Sequence, residues 1–232
     1  MDVPVYNMQG ESVGSMPIDE VALGETVHPA LIKQAYVRYH ANLRQGSARS
    51  KPRSAIEGSR RKIYKQKGTG NARHHDRKAN LFKGGGHYKA KRQTREDFRQ
   101  DMPKKMRRKA NRNALLAKLV DNEVRVIEDL TLATPRTKDF TAFLAAIKVD
   151  QKALVALSSD PQRSKNARLS ARNVDRVTLC RAEELTCFNL LNHRYLVIGR
   201  SELEAWLSGP SSQTGKDAKL NPKGAVGAGE GA

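Results

Sequence analysis

Four short apolar runs, VRVI (124–127), ALVAL (153–157), RVTL (176–179) and YLVI (195–198), recur through the second half of the chain. Each is followed by a stretch with helical character: TKDFTAFLAAI, QRSKNARLSARN, TCFNLLN and SELEAWL. Continuous apolar strands belong in sheets buried on both faces, and strand–helix alternation builds parallel pairs through crossover helices. The pattern predicts an α/β body with a mostly parallel sheet and helices on both faces. Nearer the start, VPVY (3–6) reads as a strand, QGES as a turn and VGSMPI as a second strand. HPALIKQAYVRYHANLRQG then carries Leu31, Ala35, Tyr36, Tyr39 and Leu43 at helical spacing, with Gly46 as a stop. A second long helix is marked by Asp101 and Pro103 and by an apolar stripe through Met106, Ala110, Ala114, Leu116, Ala117 and Val120. With 232 residues, 38% of them apolar, the chain supplies one core plus appendages.

Between those two helices the pattern fails. From Arg44 to Met102 the large apolar residues are few and lack either period, so a loop, disordered in isolation and with no packed element, is expected. The charge is concentrated in the same region. Arg44 to Arg112 holds 24 of the 43 Lys and Arg but five of the 24 acids, a net of +19; the remainder holds 19 of each and is neutral. A basic surface spread over the whole molecule does not fit that distribution. At about 3.3–3.6 Å per residue, a segment of roughly 30 residues out and 30 back reaches at most about 100 Å from the body. Such a long excursion in a compact domain points to function.

No catalytic constellation accompanies the α/β pattern. Gly68-Thr69-Gly70 lacks the third glycine and the strand–helix setting of a dinucleotide fingerprint, and Gly209–Lys216 has the wrong spacing for a phosphate loop. Gly10-Glu11-Ser12-Val13-Gly14 matches the nucleophile elbow in letters, but Pro17 and a strand follow it, so it reads as a hairpin turn. Asp160-Pro161 reads as a helix N-cap with proline at the first helical position. His74, His75 and His87 sit among Arg73, Arg77 and Lys78, which repel a cation, and Cys180 and Cys187 lack metal spacing and read as reduced thiols. The expectation is a non-enzyme with no metal and no cofactor. No apolar run of about 18 residues and no charged-then-apolar leader is seen, which predicts a cytoplasmic protein without membrane association.

The excursion has the chemistry of an RNA ligand. Gly68, Gly70, Gly84, Gly85 and Gly86 let backbone N–H groups approach phosphates. Arg60, Arg61, Arg73 and Arg77 can fork onto phosphate oxygens, while Tyr64, Phe82 and Tyr88 can stack on unpaired bases. Arg49, Arg53, Lys62, Lys65, Lys67, Lys78, Lys83, Lys91 and Arg92 add positive charge. In the receiving helix, Lys104, Lys105, Arg107 and Arg108 crowd the N-terminal end, where the helix dipole disfavours cations by about 0.3–1 kcal/mol each. A bound polyanion reverses that cost. Glycine, cation and sparse aromatic together favour structured RNA over a bilayer, which would select a broad apolar helix face.

At KQKGTGNAR, LFKGGG and MPKKMRRKANRNALLAKL, in that order, the chain resembles the family of the bacterial large-subunit ribosomal protein four. The resemblance covers about residues 1–207. It implies a Rossmann-like body (1–45 and 102–207), an extended loop penetrating ribosomal RNA (46–101), and a tip lining the nascent-peptide exit tunnel. Lys65, Gln66, Lys67, Gly68, Thr69 and Gly70 match the tip motif, and Arg73 with Gly84–Gly86 would thread between RNA helices. Three positions depart from the family pattern: Tyr64 for a tryptophan, Asn71 for an arginine, and Asn80-Leu81-Phe82-Lys83 for Pro-Ile-Trp-Arg. The implied role is structural, in subunit assembly and tunnel shaping, with large-subunit RNA, neighbouring ribosomal proteins and the nascent peptide as partners and no homo-oligomer. A free-standing RNA-binding regulator or chaperone is the alternative. The segment 208–232 lies outside the pattern, and its Gly, Ser, Ala, Pro and Lys composition predicts a disordered tail.

Overall fold

The structure, a computed structural model, describes residues 1–91 and 98–211. The chain divides into two units. One comprises Met1–Leu43 and the chain from Gln100 onward; the other is Arg44–Arg99.

The first unit is the α/β body. Strands β1 (Asp2–Tyr6) and β2 (Ser12–Pro17) form an antiparallel hairpin. Strands β3 (Val124–Ile127), β4 (Ala153–Leu157), β5 (Val177–Arg181) and β6 (Tyr195–Gly199) complete a six-stranded sheet of order β2-β1-β3-β6-β4-β5, in which every pair except β1–β2 is parallel. The helices are α1 (Glu20–Leu23), α2 (Pro29–Asn42), α3 (Lys104–Val120), α4 (Thr137–Ala146), α5 (Pro161–Ala171), α6 (Cys187–Asn192) and α7 (Arg200–Ser208). Alternate residues of each central strand enter different cores. Val124, Val126, Leu154, Ala156, Leu196 and Ile198 pack with side chains from α1, α2, α3, α6 and α7. Ile127, Val155, Leu157 and Val197 pack with side chains from α4 and α5. Both faces of the strands are therefore buried, which is why these segments read as continuous apolar runs. Each fully buried Leu or Ile contributes about 1.5–3 kcal/mol relative to exposure.

Gly10-Glu11-Ser12-Val13-Gly14, which matches the nucleophile elbow in letters, runs from the hairpin connection into β2, with Ser12 the first residue of the strand. The Asp160 carboxylate accepts a hydrogen bond from Gln162 N–H at 2.9 Å and caps α5. Cys180 and Cys187 are free thiols, and burial pushes both up to about 12. Among the described residues no helix is long and apolar enough to cross a membrane. Two corrections concern boundaries. Helix α2 ends at Asn42 rather than continuing toward Gly46. Residues 208–211 are not loose tail: α7 extends to Ser208, and Ser211 is buried against α3. The remainder of the expected tail lies outside the described residues.

Helix α3 carries two buried asparagines that organise what surrounds it. Asn113 accepts from His28 N–H and donates to the Thr26 carbonyl, both at 2.6 Å, fixing the turn before α2. Asn111 accepts from Cys187 N–H at 2.9 Å and donates to the Ser211 carbonyl at 2.8 Å. In Asn111→Ala the buried Cys187 N–H and Ser211 carbonyl lose those partners. At about 1–3 kcal/mol for each of the two orphaned groups, the substitution should destabilise the body by about 2–6 kcal/mol, read as a lower urea midpoint with an unchanged m-value.

Candidate nucleic-acid interface

Two features of the body frame the excursion. Asn42, the last residue of α2, donates through Nδ2 to the Gln100 carbonyl at 3.2 Å and accepts from Gln100 N–H at 2.9 Å, so the chain leaves and returns at one clamp. Helix α3 starts after Pro103 with no side-chain cap and no acid in its first turn. Lys104, Lys105 and Lys109 are exposed, Arg107 and Arg108 are half-buried, and the Nε atoms of both arginines are sealed from solvent without a hydrogen-bond partner.

The Arg44–Arg99 unit contains no α-helix or strand among its described residues; its one regular element is a 3₁₀ turn at Arg53–Ala55. The expectation of an unpacked loop is nonetheless corrected, because the outgoing and returning legs are tied together. The Arg44 guanidinium lies 3.6 Å from the Phe98 ring centroid. Lys91 N–H donates to Ser50 Oγ at 2.9 Å, His87 N–H to the Lys51 carbonyl at 3.0 Å and Ile63 N–H to the His75 carbonyl at 2.9 Å. Near the middle, Arg53 donates to Asp76 Oδ2 through Nη2 at 2.7 Å and Nε at 3.2 Å. The Asp76 side chain is only 3% exposed. Burial raises its carboxyl, but the Arg53 hydrogen bond and charge, the His75 ring and the Lys78 N–H outweigh that and hold it below its ordinary value.

The glycine run divides by role. A Cβ on Gly85 would lie 1.9 Å from the Ala79 carbonyl oxygen, and one on Gly86 would lie 2.3 Å from Arg53 N. These two glycines let backbone meet backbone inside the unit, a different use from the phosphate approach expected of them. Gly68 and Gly70, at φ +81° and +65°, have open space around them and adopt a backbone conformation that favours glycine.

The site residues read from sequence are mostly on the surface. Arg49, Arg60, Arg61, Lys62, Lys65, Gln66, Lys67, Thr69, Arg73, Arg77, Lys83 and Lys91 are exposed. Among the described residues, none of Arg60, Arg61, Lys65, Lys67, Arg73, Arg77 and Lys83 has a carboxylate partner. Lys78 is buried and Arg53 is engaged by Asp76; Arg92 lies outside the described residues. Of the three rings proposed for stacking, Tyr64 donates its hydroxyl to the Ala72 carbonyl, and Phe82 meets His74 edge-on at 5.0 Å. Tyr88 is 84% exposed. Asp76, a lone acid amid cations in the sequence, is the carboxylate that pairs with Arg53 across the legs.

Among the described residues an α/β body is joined to an internally tied cationic excursion, the charge distribution typical of nucleic-acid-binding scaffold proteins as a class. Residues 16–208 match the ribosomal protein L4/L1 family. A large ribosomal subunit protein uL4 from Dehalococcoides mccartyi (strain ATCC BAA-2266 / KCTC 15142 / 195) is 38% identical over 198 residues, 85% of this chain and 92% of that protein. The uL4 proteins of strains BAV1 and CBDB1 are each 39% identical over the same shares. This chain belongs to the ribosomal protein L4/L1 family, whose members are structural, non-enzymatic components of the ribosome.

Proposed function

We propose that the chain, a structural protein of the large ribosomal subunit, grips subunit RNA with its Arg44–Arg99 unit and the start of α3, and that Lys65–Gly70 lines the nascent-peptide tunnel. The observation carrying the RNA reading is a set of exposed cations without carboxylate partners among the described residues, in a unit of 18 bases and four acids. Such a surface is stabilised by a polyanion, and releasing counterions from phosphates drives the association. Neighbouring ribosomal proteins contact the body, and the excursion acts in assembly by tying RNA segments together. The tunnel assignment rests on the match of Lys65, Gln66, Lys67, Gly68, Thr69 and Gly70 to the family's tip motif, and on a tip that offers glycine turns and exposed lysines.

The test is binding to in-vitro transcribed large-subunit RNA across 50–400 mM salt. Six phosphate contacts give a log–log slope of roughly −4 to −5; a slope shallower than about −2 overturns the reading. For the tip, photoreactive nascent chains stalled in the tunnel should crosslink to residues 65–70. Lys67→Glu should change that crosslinking while leaving the body's melting temperature unmoved.

A further inference from the structure

The Arg44–Arg99 unit holds an open cleft of about 680 Å³. Its walls are of two kinds. Pro52, Ala79 and the Tyr88 ring are apolar, while Arg53, Arg60, His75 and His87 carry nitrogen donors around them. Gly86 forms part of the lining, where the legs approach too closely for a side chain. Asp76 contributes the acid: its Oδ2 is held by Arg53, and its Oδ1 is sealed from solvent with no hydrogen-bond partner. The Tyr88 ring stands 84% exposed with neither ring nor hydrogen-bond partner among the described residues, whereas Tyr64 and Phe82 are engaged. A bare phosphate needs only the donors. An apolar wall, an unoccupied ring, nitrogen donors and one unused acceptor together match a nucleotide: base on ring, phosphate on cations, and an amino proton on the carboxylate.

We propose that this cleft receives one unstacked, amino-bearing nucleotide of the RNA. Tyr88 stacks on its base, Arg60, His75 and His87 hold its phosphate, and Asp76 Oδ1, covered in the structure, is uncovered as the base enters and accepts from its amino group. This rests on the RNA-binding reading above and adds a base-selective receptor to what would otherwise be backbone contact alone. Uracil, which presents a carbonyl where cytosine has its amino group, is disfavoured at Asp76.

The test uses the full chain with in-vitro transcribed large-subunit RNA, irradiated at 254 nm, digested with nuclease and analysed by mass spectrometry. Tyr88 or His87 should carry a single A, G or C adduct. Tyr88→Ala should remove it and weaken binding about tenfold with the salt slope unchanged, because stacking displaces no counterion. Tyr88→Phe should keep the adduct and the affinity. Arg60→Ala should make the slope shallower by about 0.7–0.9, one phosphate's worth. The Tyr88 side chain is exposed and, among the described residues, holds no ring or hydrogen-bond partner that its variants could break, so misfolding does not confuse the result. Adducts elsewhere in 44–99 but none in the cleft, with Tyr88→Ala binding within twofold, overturn the receptor and leave the RNA reading standing. Absence of adducts throughout 44–99 overturns both. Retention of 5′-AMP or 5′-GMP at micromolar concentration in equilibrium dialysis without RNA makes this a free-nucleotide site and overturns the assignment to RNA.

Discussion

Replacing residues 44–99 with a linker of about four Gly and Ser residues should leave a folded body that has lost RNA affinity by at least about a thousandfold at low salt. The excursion carries 18 of the chain's 43 Lys and Arg, so most of the phosphate-directed charge goes with it. A contact set of 6–10 phosphates accounts for about 10³–10⁵ of affinity between 50 and 200 mM salt alone. The residual slope should be that of the α3 cations. The body should not suffer, because both core clusters are built from residues outside 44–99 and the Asn42–Gln100 clamp already brings the ends together. Closing 4 residues rather than 56 shortens the loop by nearly four doublings, worth about 2 kcal/mol of added stability at most. Calorimetry and filter binding on the same preparation separate the two effects. A lower melting temperature would make the excursion part of the fold. Affinity within tenfold of the parent would move the RNA contact onto the body.

What the sequence disclosed about this molecule follows from which groups make each contact. Strands β3, β4 and β6 are visible because both faces are buried, and a run such as ALVAL has no other stable home in water. Helix α3 is visible because Ala110 and Ala114 recur at helical spacing and, with Leu116, are buried, although Met106 and Val120, the ends of the expected stripe, are exposed and Leu115 and Leu119 take their share of the core instead. Helix α1 is not, since EVAL is one turn, held by the Asp19 carboxylate on Val21 N–H and by Gly24 at φ +112°. Asn111 and Asn113 were equally opaque: polar residues at helix positions look solvated, and only the tertiary fold shows their amides substituting for backbone partners. For the candidate interface, charge and glycine content were plain from composition, which is additive along the chain. The ties between the legs were hidden because three of the five start from a backbone N–H, two of them ending on a backbone carbonyl, and nearly every residue carries those groups. The Arg53–Asp76 pair spans 23 positions, beyond the reach of any local pattern.

Gly86→Ala should untie those legs. The added Cβ would lie 2.3 Å from Arg53 N, 2.5 Å from its Cα and 2.7 Å from the Pro52 carbonyl carbon, all backbone atoms that no rotamer change can move aside. Arg53 or Gly86 must shift, and either movement strains the 2.7 Å Arg53–Asp76 pair and the His87 N–H bond to Lys51 on the adjoining residue. Separation of that pair would leave a buried carboxylate without its countercharge, so the overpacking cost of about 1–3 kcal/mol and the loss of the pair reinforce each other. RNA binding must then order the legs as well as contact them, and affinity should fall about ten- to a hundredfold. Hydrogen exchange at the Gly86 and His87 amides should accelerate while exchange in β4 and β6 stays unchanged, since those strands belong to the body. Gly84→Asn provides the contrast: Gly84 sits at φ +82° with open space, asparagine tolerates that conformation, and protection at His87 should persist. Unaltered His87 protection in Gly86→Ala, with affinity within twofold, would mean that the legs are not joined at this point and that the Gly84–Gly86 run serves the RNA surface alone.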